Sequence, residues 1–168
     1  IHFKTDGTFV KEMLGNTPYG GGGTLDRYDS SRAYFKDLVF KINRESPEKI
    51  TSRIDSQLST KLWEVSQYAP LFRQDMVPIM IDGRRYMVNA QLVVQPRQQA
   101  GYVYLVDEEK KTMRMVAGVG SCSMGSYFDQ DPEMIRHLDG KPLKELLFIW
   151  GDRNGDGEMQ VAEVEFEE

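Results

Sequence analysis

Six residues near the C-terminal end could direct oxygen atoms at a common point: Asp152, Asn154, Asp156, Glu158, Gln160 and Glu163. Asp152, Asn154 and Asp156 lie two residues apart, so a tight turn can aim their side chains inward. Gly157 follows, and glycine freely takes the positive φ that a sharp bend demands. Glu158 would offer its backbone carbonyl, Gln160 a side-chain oxygen and Glu163 both carboxylate oxygens. Met159 is the apolar residue that would pin such a loop to a core. This order of positions suits a hard divalent cation, and calcium takes about 6–8 oxygens. The competing reading is a solvated Asn/Asp/Gly-rich turn that holds nothing. Met159 and Glu163 weigh against it, because a plain turn requires neither. The predicted cofactor is Ca2+, held by these six residues.

Other chemistry is poorly supported. His2 and His137 are far apart and lack patterned neighbours, so neither reads as a zinc or haem ligand. Cys122 is the only cysteine, which excludes an internal disulfide and a cysteine-based zinc site. Ser121 and Ser123 sit in a glycine-rich stretch that does not meet the Gly-x-Ser-x-Gly pattern. Asp129 and Asp131 could pair for acid–base work, but helix capping explains them as well. The run Gly20 to Gly23 has no Gly-Lys-Ser/Thr ending, so it is not read as a phosphate loop. Trp63, Tyr68, Phe72 and Tyr86 could line a ligand groove, though such spacing more often serves a core. Arg84 and Arg85 follow a turn and read as solvated. No complete catalytic constellation emerges, and the chain reads as non-enzymatic.

The chain has 168 residues, enough for a domain with its own core. A net charge of −5 argues against a nucleic-acid partner, which would want a basic face. No apolar run approaches the ~18 residues of a membrane-spanning helix. The chain opens at Ile1 in mid-pattern and is expected to be a piece of a longer, extracytoplasmic or secreted protein.

The elements that must position the loop read mostly as strands. Hairpins are predicted at 1–14 around Asp6-Gly7, at 77–90 around Asp82-Gly83, and at 101–117 around a charged turn. Residues 33–42 read as one strand and 118–125 as a loop. Ile50, Ile54, Leu58, Leu62 and Val65 recur at spacings of three or four, which suits an amphipathic helix over 48–67 in an insertion at 46–75; the frequent Thr, Ser and Ile leave an irregular inserted segment as the other reading. Asp131 and Pro132 signal the start of a short helix. Residues 142–150 read as either a short helix or a buried strand. The expected fold is mainly β: antiparallel hairpins of a partial β-propeller or meander, with a short helical insertion. A β-rich portion is expected at 1–140 and a calcium-binding segment at 141–168.

The ordering of these pieces resembles large secreted bacterial proteins with NHL/YVTN-like β-propellers. The matching stretches are Thr5-Asp6-Gly7-Thr8-Phe9-Val10 and Gly21-Gly22-Gly23-Thr24-Leu25-Asp26. Further on come Asp82-Gly83-Arg84-Arg85-Tyr86-Met87-Val88-Asn89, Val116-Ala117-Gly118-Val119-Gly120 and the acidic run Trp150 to Gly157. The last run also resembles EF-hand and dockerin loops, although a dockerin carries two loops and this chain has one. The resemblance implies a calcium-stabilised, β-rich module of a secreted protein. The alternatives are an EF-hand-type sensor, which needs helices at 142–150 and from 162 onward, or a scaffold for an enzyme whose active site lies outside this stretch. A protein or polysaccharide partner also remains open.

Overall fold

A computed structural model describes residues 2–11, 23–35, 38–45, 50–60, 76–92, 99–124 and 127–167. Within them the chain is mainly β, with two short helices. Strands β1 (His2–Phe3) and β2 (Phe9–Lys11) form a small hairpin. Its turn is held by Asp6, whose Oδ1 accepts from the Thr8 backbone N–H at 2.9 Å. A four-stranded antiparallel sheet follows: β3 (Thr24–Leu25), β4 (Arg32–Phe35), β5 (Leu38–Arg44) and β6 (Ile50–Gln57).

The larger sheet is a meander of β8 (Val77–Ile81), β9 (Arg84–Leu92), β10 (Gln99–Asp107), β11 (Thr112–Ser121), β12 (Leu147–Gly151) and β13 (Val164–Glu167). The two-residue strand β7 (Ser59–Thr60) runs parallel beside Thr112 and Met113 of β11. The β8–β9 turn is of the primed type expected for Asp-Gly, with positive φ at both Asp82 (49°) and Gly83 (75°). Helices α1 (Tyr127–Gln130) and α2 (Pro132–Leu138) interrupt the meander before β12. Asp131 caps α2 as anticipated, accepting from the Glu133 and Met134 backbone N–H groups at 2.9 and 2.8 Å.

The core gathers alternate residues of the large sheet, among them Met87, Tyr104, Met113, Met115, Phe148 and Trp150. Phe128 of α1 packs on Phe148 with ring centroids 4.8 Å apart, and Met134 and Leu138 of α2 join the same core.

Three expectations are corrected. Residues 50–57 are strand β6, paired along β5 from Arg44↔Ile50 to Leu38↔Gln57, and not a helix. Their Thr, Ser and Ile content favours extended backbone, and Ile54 is exposed. The rest of the predicted insertion, 46–49 and 61–75, lies outside the described residues. Residues 33–42 are two paired strands, β4 and β5, with 36–37 between them outside the described residues. Residues 118–121 are not loop but the end of β11, paired with β10 and β12. Glycine is needed there for packing: a Cβ on Gly118 would lie 3.0 Å from the Tyr102 ring and 3.3 Å from the Phe148 ring. Of the two architectures expected, the larger sheet is a meander, and the described strands show no closed barrel or propeller.

Candidate metal centre

The acidic loop joins two neighbouring strands of one sheet. Phe148 and Trp150 of β12 point into the core while Leu147 and Ile149 face out, so the 142–150 alternative resolves as a strand preceded by a short 3-10 turn at Leu143–Glu145. After the loop, another 3-10 turn (Val161–Glu163) leads directly into β13. The helix–loop–helix frame required by a sensor is therefore replaced by strand–loop–strand.

The loop departs where a β-bulge alters β11. Val103 pairs with Ala117 and Tyr104 with Met115, leaving Val116 as the extra residue. The Val116 carbonyl accepts from the Asp152 backbone N–H at 2.9 Å, which fixes the start of the loop. Beyond it β12 no longer covers β11, and β7 pairs only with its far end. The loop backbone lies along this uncovered stretch, where a Cβ on Gly157 would sit 3.6 Å from Arg114 Cβ and from the Met115 carbonyl oxygen.

Successive side chains curl the loop by accepting from backbone N–H groups further on. Asp152 Oδ1 accepts from Gly155 at 2.7 Å, Asn154 Oδ1 from Asp156 at 2.9 Å, and Asp156 Oδ1 from Glu158 at 2.7 Å. Gly155 and Gly157 take φ of 84° and 79°, the left-handed conformation such a curl needs. Glu163 reaches back to the start of the loop. Its Oε1 accepts from the Arg153 and Asn154 backbone N–H groups at 2.9 and 3.1 Å, and its Oε2 from the buried Trp150 indole at 3.3 Å. Met159 is buried in the core, as its apolar character predicted.

All six predicted ligands therefore belong to one curled loop, but they are engaged with different partners. Asp152, whose side chain is fully buried, contacts the Arg114 guanidinium through Oδ2. Asp156 Oδ2 accepts from the side-chain amides of Asn154 (2.9 Å) and Gln160 (2.6 Å). Glu158 is exposed. The Glu158 backbone N–H holds the Asp156 carboxyl below its ordinary range, with help from Gln160, Asn154 and Arg114. As the loop stands, no group of three His, Cys, Asp or Glu side chains among the described residues could hold a metal ion. The donor set itself is hard oxygen throughout, which fits calcium and not a soft metal.

Sequence reasoning missed three things here: Arg114, the Trp150–Glu163 bond, and a second acidic cluster at Asp26. The Asp26 side chain is fully buried, accepts from the Tyr34 hydroxyl at 3.1 Å and contacts the Arg85 guanidinium. Glu108 joins Arg85 (2.7 Å) to Arg32 (2.8 Å). The only local signal was the Asx turn in which Asp26 accepts from the Tyr28 backbone N–H at 2.8 Å. Arg85, read as solvated, is instead largely buried in this cluster.

The remaining candidates do no visible chemistry. Ser121 Oγ and Ser123 Oγ bond each other at 2.8 Å, and burial pushes the Cys122 thiol up to about 11. His137 stacks on Phe166 with ring centroids 5.5 Å apart. Tyr86 is half-buried on β9. Trp63, Tyr68, Phe72, the 20–22 glycines and the His2 side chain lie outside the described residues. No helix among the described residues is long and apolar enough to cross a membrane. Comparisons with protein-family models, curated proteins and solved structures find no match to this chain.

Proposed function

We propose that the β12–β13 loop binds a calcium ion and thereby stabilises a β-rich module of a larger secreted protein. One observation carries the reading. Asp152, Asp156, Glu158 and Glu163 lie on one curled loop, and the only guanidinium reaching them from outside it is Arg114, on Asp152, among the described residues. The other arginine nearby, Arg153, turns to Glu165 on β13 at 3.0 Å. A divalent ion would neutralise the surplus charge and draw Asp152, Asp156 and Glu163 onto one centre, with Asn154, Gln160 and the Glu158 carbonyl completing the shell. Since the Trp150 indole bonds Glu163 and β12 pairs with β13, holding the loop also holds the β12–β13 hairpin on the core.

The ion's role on this reading is structural. A sensor works by moving its flanking helices to expose a groove, and here both flanks are strands of the core sheet. The propeller resemblance has one supporting element: β3 to β6 form a four-stranded antiparallel meander, the make-up of a single blade.

Calorimetric titration tests the proposal. The expected result is one site per chain with Kd of about 10⁻⁴–10⁻³ M, weaker binding of magnesium, and loss of binding in Asp156→Ala, which removes the side-chain oxygen. No binding heat up to roughly ten times that Kd range would contradict it.

A further inference from the structure

We infer that the outer face of the larger sheet is a self-association surface whose occupant is a second copy of this chain. The inference is independent of any ion in the β12–β13 loop. An antiparallel sheet with one face in water alternates apolar and polar residues along its strands. In this sheet the alternation is lost. Met87, Tyr104, Phe148 and Trp150 fill the core from one face. The residues between them turn to the other face, and they are apolar too. Ile149 pairs with Val119 on β11, two residues along from Ala117 on the same face. Ala117 pairs with Val103, Val103 with Val88, and Val88 with Val77. These six positions make one band across β12, β11, β10, β9 and β8, and no charged residue interrupts it. Val119 and Ile149 are 54 % and 52 % exposed. A continuous exposed apolar patch of this kind marks an interaction surface.

The charges at the two ends of the band select the occupant. Beyond Ile149 the face ends on β13 at Glu165, with Glu167 next to it opposite Leu147. At the far corner Arg84 stands opposite Ile81. Glu165 meets Arg153 at 3.0 Å, whereas Glu167 and Arg84 are exposed and have no ion partner among the described residues. An acid at one corner, a base at the opposite corner and an apolar middle form a self-complementary pattern. In a two-fold dimer the same patch serves both copies, so each contact occurs twice. An axis in the plane between two such faces, set across the line from Glu167 to Arg84, lays Glu167 of each copy on Arg84 of the other. The apolar middles then meet, as the inner faces of stacked sheets do. An axis along that line would instead set acid on acid, which like-charge repulsion disfavours.

Sedimentation equilibrium, with circular dichroism of each variant, tests this. The mass of the unaltered protein should approach twice 19.3 kDa as its concentration rises. Val119→Lys places a charge in the middle of the band at an exposed position, and should hold the protein at the mass of one copy with its spectrum unchanged. Glu167→Arg and Arg84→Glu should each weaken association roughly tenfold, because each sets like charges against one another twice. The chain carrying both changes should associate as the unaltered protein does. Should Val119→Lys disturb the spectrum, these rim variants carry the test, since their side chains are exposed. A single-copy mass at every concentration up to about 1 mM would overturn the inference. So would full association of a folded Val119→Lys, or a failure of the double change to restore what the single changes lose.

Discussion

The turn at Asp26 and the loop at Asp152 both collect carboxylates beside a short strand, and they are neutralised in different ways. At the first, Asp26, Asp29 and Glu108 meet Arg85, Arg32 and the Tyr34 hydroxyl in one continuous network. The cations are supplied by the protein itself, from β4 and β9, and the network ties the four-stranded sheet to β9 and the β10–β11 turn of the larger one. At the second, Arg114 answers Asp152, while among the described residues Asp156 has only amide and backbone donors and Glu163 only backbone and indole N–H groups. Hydrogen bonds from neutral donors satisfy carboxylate lone pairs without removing the charge. The comparison teaches that an acidic cluster can be a finished lock or an incomplete one, and that the partners, not the acids, decide which.

The sharpest way to break this contrast is at Asp26. Replacing it with alanine leaves the Arg85 guanidinium without its buried partner. Removing one member of a buried ion pair costs about 3–5 kcal/mol, and Arg85 keeps only the half-exposed Glu108 as compensation. Chemical denaturation should show a loss of about that size for Asp26→Ala, unchanged by calcium or chelator. A loss that calcium repairs would mean that the two acidic regions are not independent.

Acid pH probes both regions with a smaller effect. Burial acts to raise Glu108, but hydrogen bonds from Arg32 and Arg85 outweigh it and hold the carboxyl below its usual value of 4.5. Asp156 is likewise held below 3.8, chiefly by the Glu158 backbone N–H. A carboxyl whose folded value is depressed contributes stability that is fully present above its unfolded value and lost as pH falls through the folded one. Melting midpoints should therefore stay level down to about pH 5 and fall below about pH 4.5. Glu108→Gln should lower the neutral-pH midpoint and make the acid fall shallower. An equally steep fall in that variant would remove Glu108 from the account.

What could be read from sequence was local. Asp82-Gly83 encodes its own turn through backbone conformation, Asp131-Pro132 its own cap, and the 152–163 spacing its own curl. The failures were matters of pairing. Residues 50–57 carry an apolar spacing compatible with a helix, and only the neighbouring β5 makes them a strand. Gly118 looks like a loop residue until Tyr102 and Phe148 close over it. The role of Arg85 depends on Asp26, 59 positions away, and that of Arg114 on Asp152, 38 positions away. Charged residues on strands look alike in sequence, and only the fold shows which of them meet.

The claim that the loop takes up calcium to stabilise the module is tested most directly by melting the protein in about 10 mM calcium, ten to a hundred times the expected Kd, and again in chelator. Calcium at ten to a hundred times Kd should stabilise the folded form by about 1.4–2.7 kcal/mol. The midpoint should therefore rise by several degrees in calcium, and Asp156→Ala should abolish the rise. Coincident midpoints in the unaltered protein would contradict the account and leave the loop a cation-free turn closed by Arg114 alone.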